Sequence, residues 1–121
     1  MSANLDFEWT NGHPEELAAK LDRFGEELIP RLEQAVDELV LRVQATAQRL
    51  VRVDTGRLRA SIEGVVERLA GDIVEGVVGT NVEYARYVES DYPFLRPAIE
   101  AEWPRIRSRT IEAVRSAWEA V

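Results

Sequence analysis

The chain contains no cysteine, one histidine, one lysine and one methionine in 121 residues. Without cysteine, disulfides and thiolate metal sites are both excluded, and the redox compartment cannot be inferred. The single histidine, His13, stands beside Pro14 in a presumptive turn after Asn11-Gly12, so a solvated turn residue is expected there and not a catalytic or metal-binding one. No stretch approaches about 18 consecutive apolar residues. The N-terminus also lacks a charged start followed by an apolar run, so membrane-spanning and signal segments are not expected. There is no glycine loop to cradle a phosphate, no internal repeat, no low-complexity segment and no linker. Together with the length, these absences point to a single domain over residues 1–121.

What is present describes a foldable acidic protein. Hydrophobic residues make up 45% and charged residues 31%, ordinary for a globular chain. The net charge is -7, which disfavours nonspecific binding to a phosphate backbone or an anionic membrane. The charge is uneven: residues 1–51 carry ten acids and five bases, whereas residues 101–121 carry three acids and four arginines. Arg105, Arg107 and Arg109 form the locally basic stretch. At about 100° per helical residue, Arg105 and Arg109 share a face and Arg107 points elsewhere, so this is no phosphate-tracking stripe. Inter-subunit ion pairing, nucleic-acid contact and simple solvation stay open for it.

Leu5, Phe7 and Trp9 alternate with Asp6 and Glu8, the period of a half-buried strand, ahead of the Asn11-Gly12 turn signal. Pro14, Glu15 and Glu16 suit a first helical turn. From there Leu17, Leu21, Phe24, Leu28, Leu32, Val36, Leu39, Val43, Ala47 and Leu50 recur in steps of three or four, one apolar stripe from end to end. The stripe keeps phase across Pro30, which predicts one helix kinked near residues 26–30. At about 1.5 Å per residue it would be roughly 54 Å long, more than a domain of this size needs. Acid pairs such as Glu15-Glu16, Glu26-Glu27 and Asp37-Glu38 fall away from the stripe, as solvated faces do.

Residues 62–69 and 73–79, rich in Val and Ile and punctuated by Gly71-Asp72, read as a β-hairpin whose buried face the pattern leaves undecided. Asn81 is placed to cap a short helix through Tyr84, Ala85, Tyr87 and Val88. Pro97 is placed to start a last helix. Along it Ile99, Trp103, Ile106, Thr110, Val114, Ala117 and Val121 keep three-or-four spacing, with Pro104 disturbing its first turns. The predicted class is α+β: a long kinked N-terminal helix, a small antiparallel sheet made of the hairpin plus the N-terminal strand, a short helix and a C-terminal helix.

Asp54-Thr55-Gly56 matches the triplet of aspartic proteases, and a chain of this length could act as a dimer supplying one aspartate each. Its setting argues otherwise. In that family the aspartate lies in a tight loop between strands, whereas here the triplet follows a long helix and precedes Arg57-Leu58-Arg59; a turn with Asp54 or Thr55 capping a short helix accounts for it. Tyr84, Tyr87, Tyr92, Phe94 and Trp103, interleaved with Arg86, Glu89 and Arg96, have the composition of an interface centre. They fit equally the closing of the core over the sheet.

Three stretches carry a resemblance: Val53-Asp54-Thr55-Gly56-Arg57-Leu58-Arg59-Ala60-Ser61-Ile62, Gly79-Thr80-Asn81-Val82-Glu83-Tyr84-Ala85-Arg86-Tyr87-Val88-Glu89, and Pro93-Phe94-Leu95-Arg96-Pro97-Ala98. In this order after a long helix, they resemble the signature blocks of the tailed-phage neck family, whose members are called head-tail connector, head-closure, tail-completion or minor tail proteins. The family usually has a longer loop between the second and third blocks, where this chain has only Ser90-Asp91-Tyr92.

The resemblance implies an α+β virion subunit, assembled in the host cytoplasm into a ring, sixfold by analogy, at the head-tail junction or tail end. Its partners would be copies of itself and other neck and tail proteins, with DNA passing nearby without specific binding. No catalysis, cofactor, metal or membrane is implied. Arg57, Arg59, Tyr84, Tyr87, Glu89, Phe94 and Arg96 are the candidate interface residues, holding either the local fold or the next subunit. Two alternatives of other classes stand beside this one: an acidic decoy that mimics DNA to occupy a nucleic-acid-binding protein, and the dimeric aspartic protease.

Overall fold

The structure, a computed structural model, describes residues 14–51, 56–69 and 72–121. Six elements follow in order: α1 (Pro14–Leu50), α2 (Gly56–Ser61), β1 (Glu63–Leu69), β2 (Ile73–Gly79), α3 (Ala85–Asp91) and α4 (Leu95–Glu119). The fold is α+β, as the periodicities predict. The expected strand at Leu5, Phe7 and Trp9, and the capping roles of Asp54 and Thr55, lie outside the described residues.

Pro14 opens α1 with Glu15 and Glu16 in its first turn, where a proline costs no hydrogen bond and carboxylates meet the positive end of the helix dipole. The helix continues through Pro30 as one element of 37 residues, about 55 Å at the standard rise. Its buried residues, Ile29, Ala35, Leu39, Val40, Val43, Thr46 and Ala47, lie in its central and C-terminal parts. The stripe read from spacing is therefore buried only in part: Leu39, Val43 and Ala47 are core, while Leu17, Leu21 and Leu50 are exposed. The physical reason is length, because α1 outruns the hairpin that covers it.

Strands β1 and β2 pair antiparallel with Val65 opposite Val77, Val66 opposite Gly76 and Glu67 opposite Glu75. Alternation sends Gly64, Val66, Gly76 and Val78 toward α1 and Glu63, Val65, Glu67, Glu75 and Val77 outward. The inward glycines are there for room. A Cβ on Gly76 would stand 2.5 Å from Val40 Cγ2 and 2.7 Å from Val36 Cγ1, and a Cβ on Gly64 would meet Val40 Cγ1 closer still. Val40 thus puts one methyl into each strand, and because its β-branched side chain is stiff in a helix, no rotation vacates both positions. Two further ties hold β1 down: Gly64 N–H donates to Gln44 Oε1 at 2.9 Å, and Arg68 pairs with Glu33 at 3.6 Å.

α4 packs antiparallel to α1. Glu102 reaches Arg42 and Thr46, Arg109 reaches Glu38, Arg31 reaches Ser116, and Phe24 meets Trp118 edge-on at 5.4 Å. The buried positions of α4 are Ala98, Ala113 and Ala117. This corrects the apolar face expected from spacing: Ala117 is core and Ile106 is half-buried, but Ile99, Trp103 and Val114 are exposed. Small alanines let two helix backbones approach, and the side chains too large for that contact are turned outward. The main core joins Val43, Ala47 and Val51 to Leu58, Ile62, Val82, Ala85, Phe94 and Ala98.

Gly64→Ala is expected to destabilise the fold by about 1–3 kcal/mol through overpacking. Val40→Ala on that background should recover part of the loss. Urea unfolding of the four chains in this cycle tests the contact, and strict additivity would show that Val40 and residue 64 do not compete for space.

Candidate assembly surface

The three sequence blocks come together around the C-terminal end of α1, and most of their candidate residues fasten the chain to itself. In the first block, Leu58 and Ile62 are core side chains. Arg59 Nε donates to the Gln48 carbonyl at 2.8 Å, while Gln48 Nε2 donates to the carbonyls of Arg59 and Ile62 at 3.4 and 3.3 Å. This reciprocal set uses α1 carbonyl and side-chain groups near the helix end, where backbone oxygens lack helical partners. Arg57 lies over the Tyr84 ring at 5.9 Å, joining the first block to the second. Ser61 and Thr80 hydroxyls are 2.5 Å apart across the base of the hairpin, and Thr80 Oγ1 also accepts from Val82 N–H.

The helix after this junction starts at Ala85 with Tyr84 as its N-cap and no side-chain cap bond, so Asn81 is not the cap that its position suggested. Glu89 ties the second block to the third. Its Oε2 accepts from Phe94 N–H at 3.0 Å and its Oε1 from Leu95 N–H at 2.6 Å, which satisfies two amides at the start of α4 and places a carboxylate at the positive end of that helix. Pro97 falls in the third helical position. Phe94 has no exposed surface and is a core residue. Tyr87, by contrast, is 60% exposed; Arg86 lies 4.9 Å from its ring and donates to its hydroxyl at 2.9 Å. Arg96 is exposed on the first turn of α4.

The helix pairing is carried by residues outside the candidate interface set, among them Arg109 of the basic stretch, which bonds to Glu38 of the Asp37-Glu38 pair at 2.9 Å within the chain. Glu102, whose side chain is 12% exposed, accepts from Arg42 Nε at 3.0 Å and from Thr46 Oγ1 at 2.9 Å. The hydrogen bond from Arg42 holds its carboxyl below the usual carboxylate range; burial opposes this, and Thr46 and the positive charges of Arg42 and Arg105 add to it. Glu38 is lowered in the same way by Arg109, whose own pKa is raised in return. A polar threonine at the buried edge of α1 was the one available sequence signal, and it has meaning only once Glu102 is known to face it.

A groove of about 230 Å³ opens between the hairpin and α4, lined by Val36, Val40, Gly76, Ile99, Ile106 and Thr110 among others. Its lining holds no acid or base. Among the described residues no cluster of three or more histidine, cysteine or acidic side chains could hold a metal ion. No helix among them is long and apolar enough to cross a membrane. Large apolar side chains are displayed as Val65, Ile73 and Val77 on the outer hairpin face and Ile99, Trp103, Ile111 and Val114 on α4, besides Leu17, Leu21, Leu41 and Leu50 along α1.

A long helix carrying a hairpin and an antiparallel partner helix, with its motif residues used as internal fasteners, defines an α+β scaffold domain. Residues 15–90 match the family described as "Bacteriophage HK97-gp10, putative tail-component". The match spans well over half of the chain, which belongs to this family of phage tail components. No curated protein and no solved structure matches it.

Glu89→Ala is expected to fray the first turn of α4 at a cost of about 1–2 kcal/mol, as loss of a helix cap does. Hydrogen exchange at Phe94 and Leu95 should accelerate while the α1 amides stay protected; unchanged exchange at those two amides would remove Glu89 from the capping role. Glu102 makes a pH-dependent contribution of known sign. Because its folded pKa is depressed, the stabilisation is present above the ordinary value near 4.5 and is lost as pH falls through the lower folded value. Glu102→Gln should therefore weaken the fold at neutral pH and flatten the acid limb of the stability curve, and parallel acid limbs for the two chains would contradict the coupling.

Proposed function

We propose that the protein is a structural subunit of a tailed-phage or prophage-derived particle, assembling with copies of itself into a ring, sixfold by analogy, at the head-tail junction or tail end. There it joins or completes the tail beside other neck and tail proteins, and it catalyses nothing. Family membership over residues 15–90 supports the virion role. The observation that carries assembly is the apolar surface left over when the chain has closed its own core: Trp103 is 58% exposed, Ile73 57% and Val77 51%. Apolar side chains displayed on adjoining elements of a small domain mark association surfaces. The net charge of -7 suits a particle through which DNA passes without sticking. Virion location, with assembly in the host cytoplasm, follows from the same role.

The sidechain inventory gives the rival classes less. Gly56 of the protease-like triplet begins α2, and Leu58 two residues on is buried in the core, a setting for a helix start and not for an exposed catalytic loop. An acidic decoy would bind a nucleic-acid-binding protein as a monomer.

Light-scattering mass across a concentration series, with electron micrographs of the products, tests the reading. Closed rings of one size, alone or with purified heads or tails, are expected. A particle that stays monomeric under all of these conditions would overturn it.

A further inference from the structure

We infer that the outer face of the hairpin docks against the exposed flank of α4 on a second copy of this chain, head to tail. This rests on the assembly reading above and names its two surfaces. On the hairpin, Val65 lies between Glu63 and Glu67 along β1, with Val77 opposite it and Glu75 opposite Glu67. All five side chains point away from α1 and are exposed. The two glutamates of β1 are four residues apart, about 14 Å along a strand. On α4, Arg96, Glu100, Trp103 and Arg107 are exposed and follow one another at four, three and four residues, which places them on one face with a net positive charge. Their outer members span eleven residues, about 16 Å along a helix. Ile99 and Val114 flank them and are exposed as well. An acid–valine–acid row on the hairpin and, on α4, a row with an arginine at each end and Glu100 and Trp103 between are therefore displayed at nearly equal length on two elements of one molecule.

Charge decides which surfaces can meet. Two copies of the hairpin face would bring acids against acids, so a twofold contact through that face is disfavoured, whereas the arginines at the two ends of the α4 row meet it with opposite charge. The hairpin is already strained in this sense, because Glu67 stands directly opposite Glu75, a like-charge arrangement that weakens a strand pair. Among the described residues neither carboxylate has a cationic partner. An arginine from a neighbour relieves that repulsion, and Trp103 covers the Val65–Val77 pair between the charges, the geometry of an aromatic anchor within a polar rim. A contact between two different patches of the same chain repeats from copy to copy and closes into a ring where the rotation permits.

Paired charge reversal in the full chain tests this. Wild type, Glu63→Arg with Glu67→Arg, Arg96→Glu with Arg107→Glu, and an equimolar mixture of the two variants are compared by sedimentation velocity over a concentration series, with thermal melts to establish that each is folded. Each variant alone should need at least about tenfold more protein than wild type to assemble. The mixture should regain assembly, since every contact in an alternating ring is then again between opposite charges. Assembly of either variant like wild type, or no recovery on mixing, would overturn the surface assignment while the ring stands; a wild-type chain that never assembles would sink the ring and this interface together. A charge-independent readout uses the absence of native cysteine. Val65→Cys mixed with Trp103→Cys should give a disulfide-linked heterodimer under mild oxidation, and homodimers of either variant in its place would assign the contact to a different geometry.

Discussion

Val40 is the side chain on which the arrangement of the domain turns. Its two methyls occupy the places where Cβ atoms of Gly64 and Gly76 would be, so the hairpin lies against α1 at a distance that no other residue type at those positions allows. The close approach fixes which face of the hairpin is inward. With Gly64, Val66, Gly76 and Val78 committed to the helix, the alternation of a strand leaves Glu63, Val65, Glu67, Glu75 and Val77 outside. The displayed surface is thus a consequence of where the glycines fall.

Of the two roles that their composition left open, the motif blocks are seen here in the first, holding the local fold. Arg59 is bonded to the end of α1, Glu89 caps α4, and Phe94 fills the core between them. They weld α2, α3 and both long helices into one unit at the C-terminal end of α1. A subunit held rigidly at that end can present the hairpin and the α4 flank in a constant relative orientation, which a closed ring of the proposed kind requires, since a small angular error repeated at each contact prevents closure.

Charge is sorted between inside and outside contacts. Glu102 and Glu38 are neutralised by Arg42 and Arg109 within the helix pair, where their pKa values register the pairing. Glu63, Glu67, Arg96 and Arg107 remain on the surface, the acids on the hairpin and the arginines on α4. A chain with a net charge of -7 would repel its own copies if its acids were spread evenly. In the proposed ring, opposite charges on two separate faces would give neighbours a directed attraction within an overall repulsive particle, the condition for ordered and not indiscriminate association.

Sequence alone determined the element types and their order, because each rests on local physics: the three-or-four spacing from Leu17 to Leu50, the paired Val-rich runs around Gly71-Asp72, the proline at the head of α1. It also determined the family resemblance, through blocks whose order survives without any knowledge of contacts. It did not reveal which apolar positions are buried. Leu17, Ile99 and Trp103 keep helical spacing as faithfully as Leu39 and Ala117, and only the lie of α4 on α1, set by three alanines, separates core from surface. The same holds for Glu89 and Phe94, whose composition fits an interface and a closed core equally and whose contacts within this chain are internal. Spacing reports what a residue shares a face with; what that face meets is decided by contacts between residues dozens of positions apart, and those exist only in the tertiary structure.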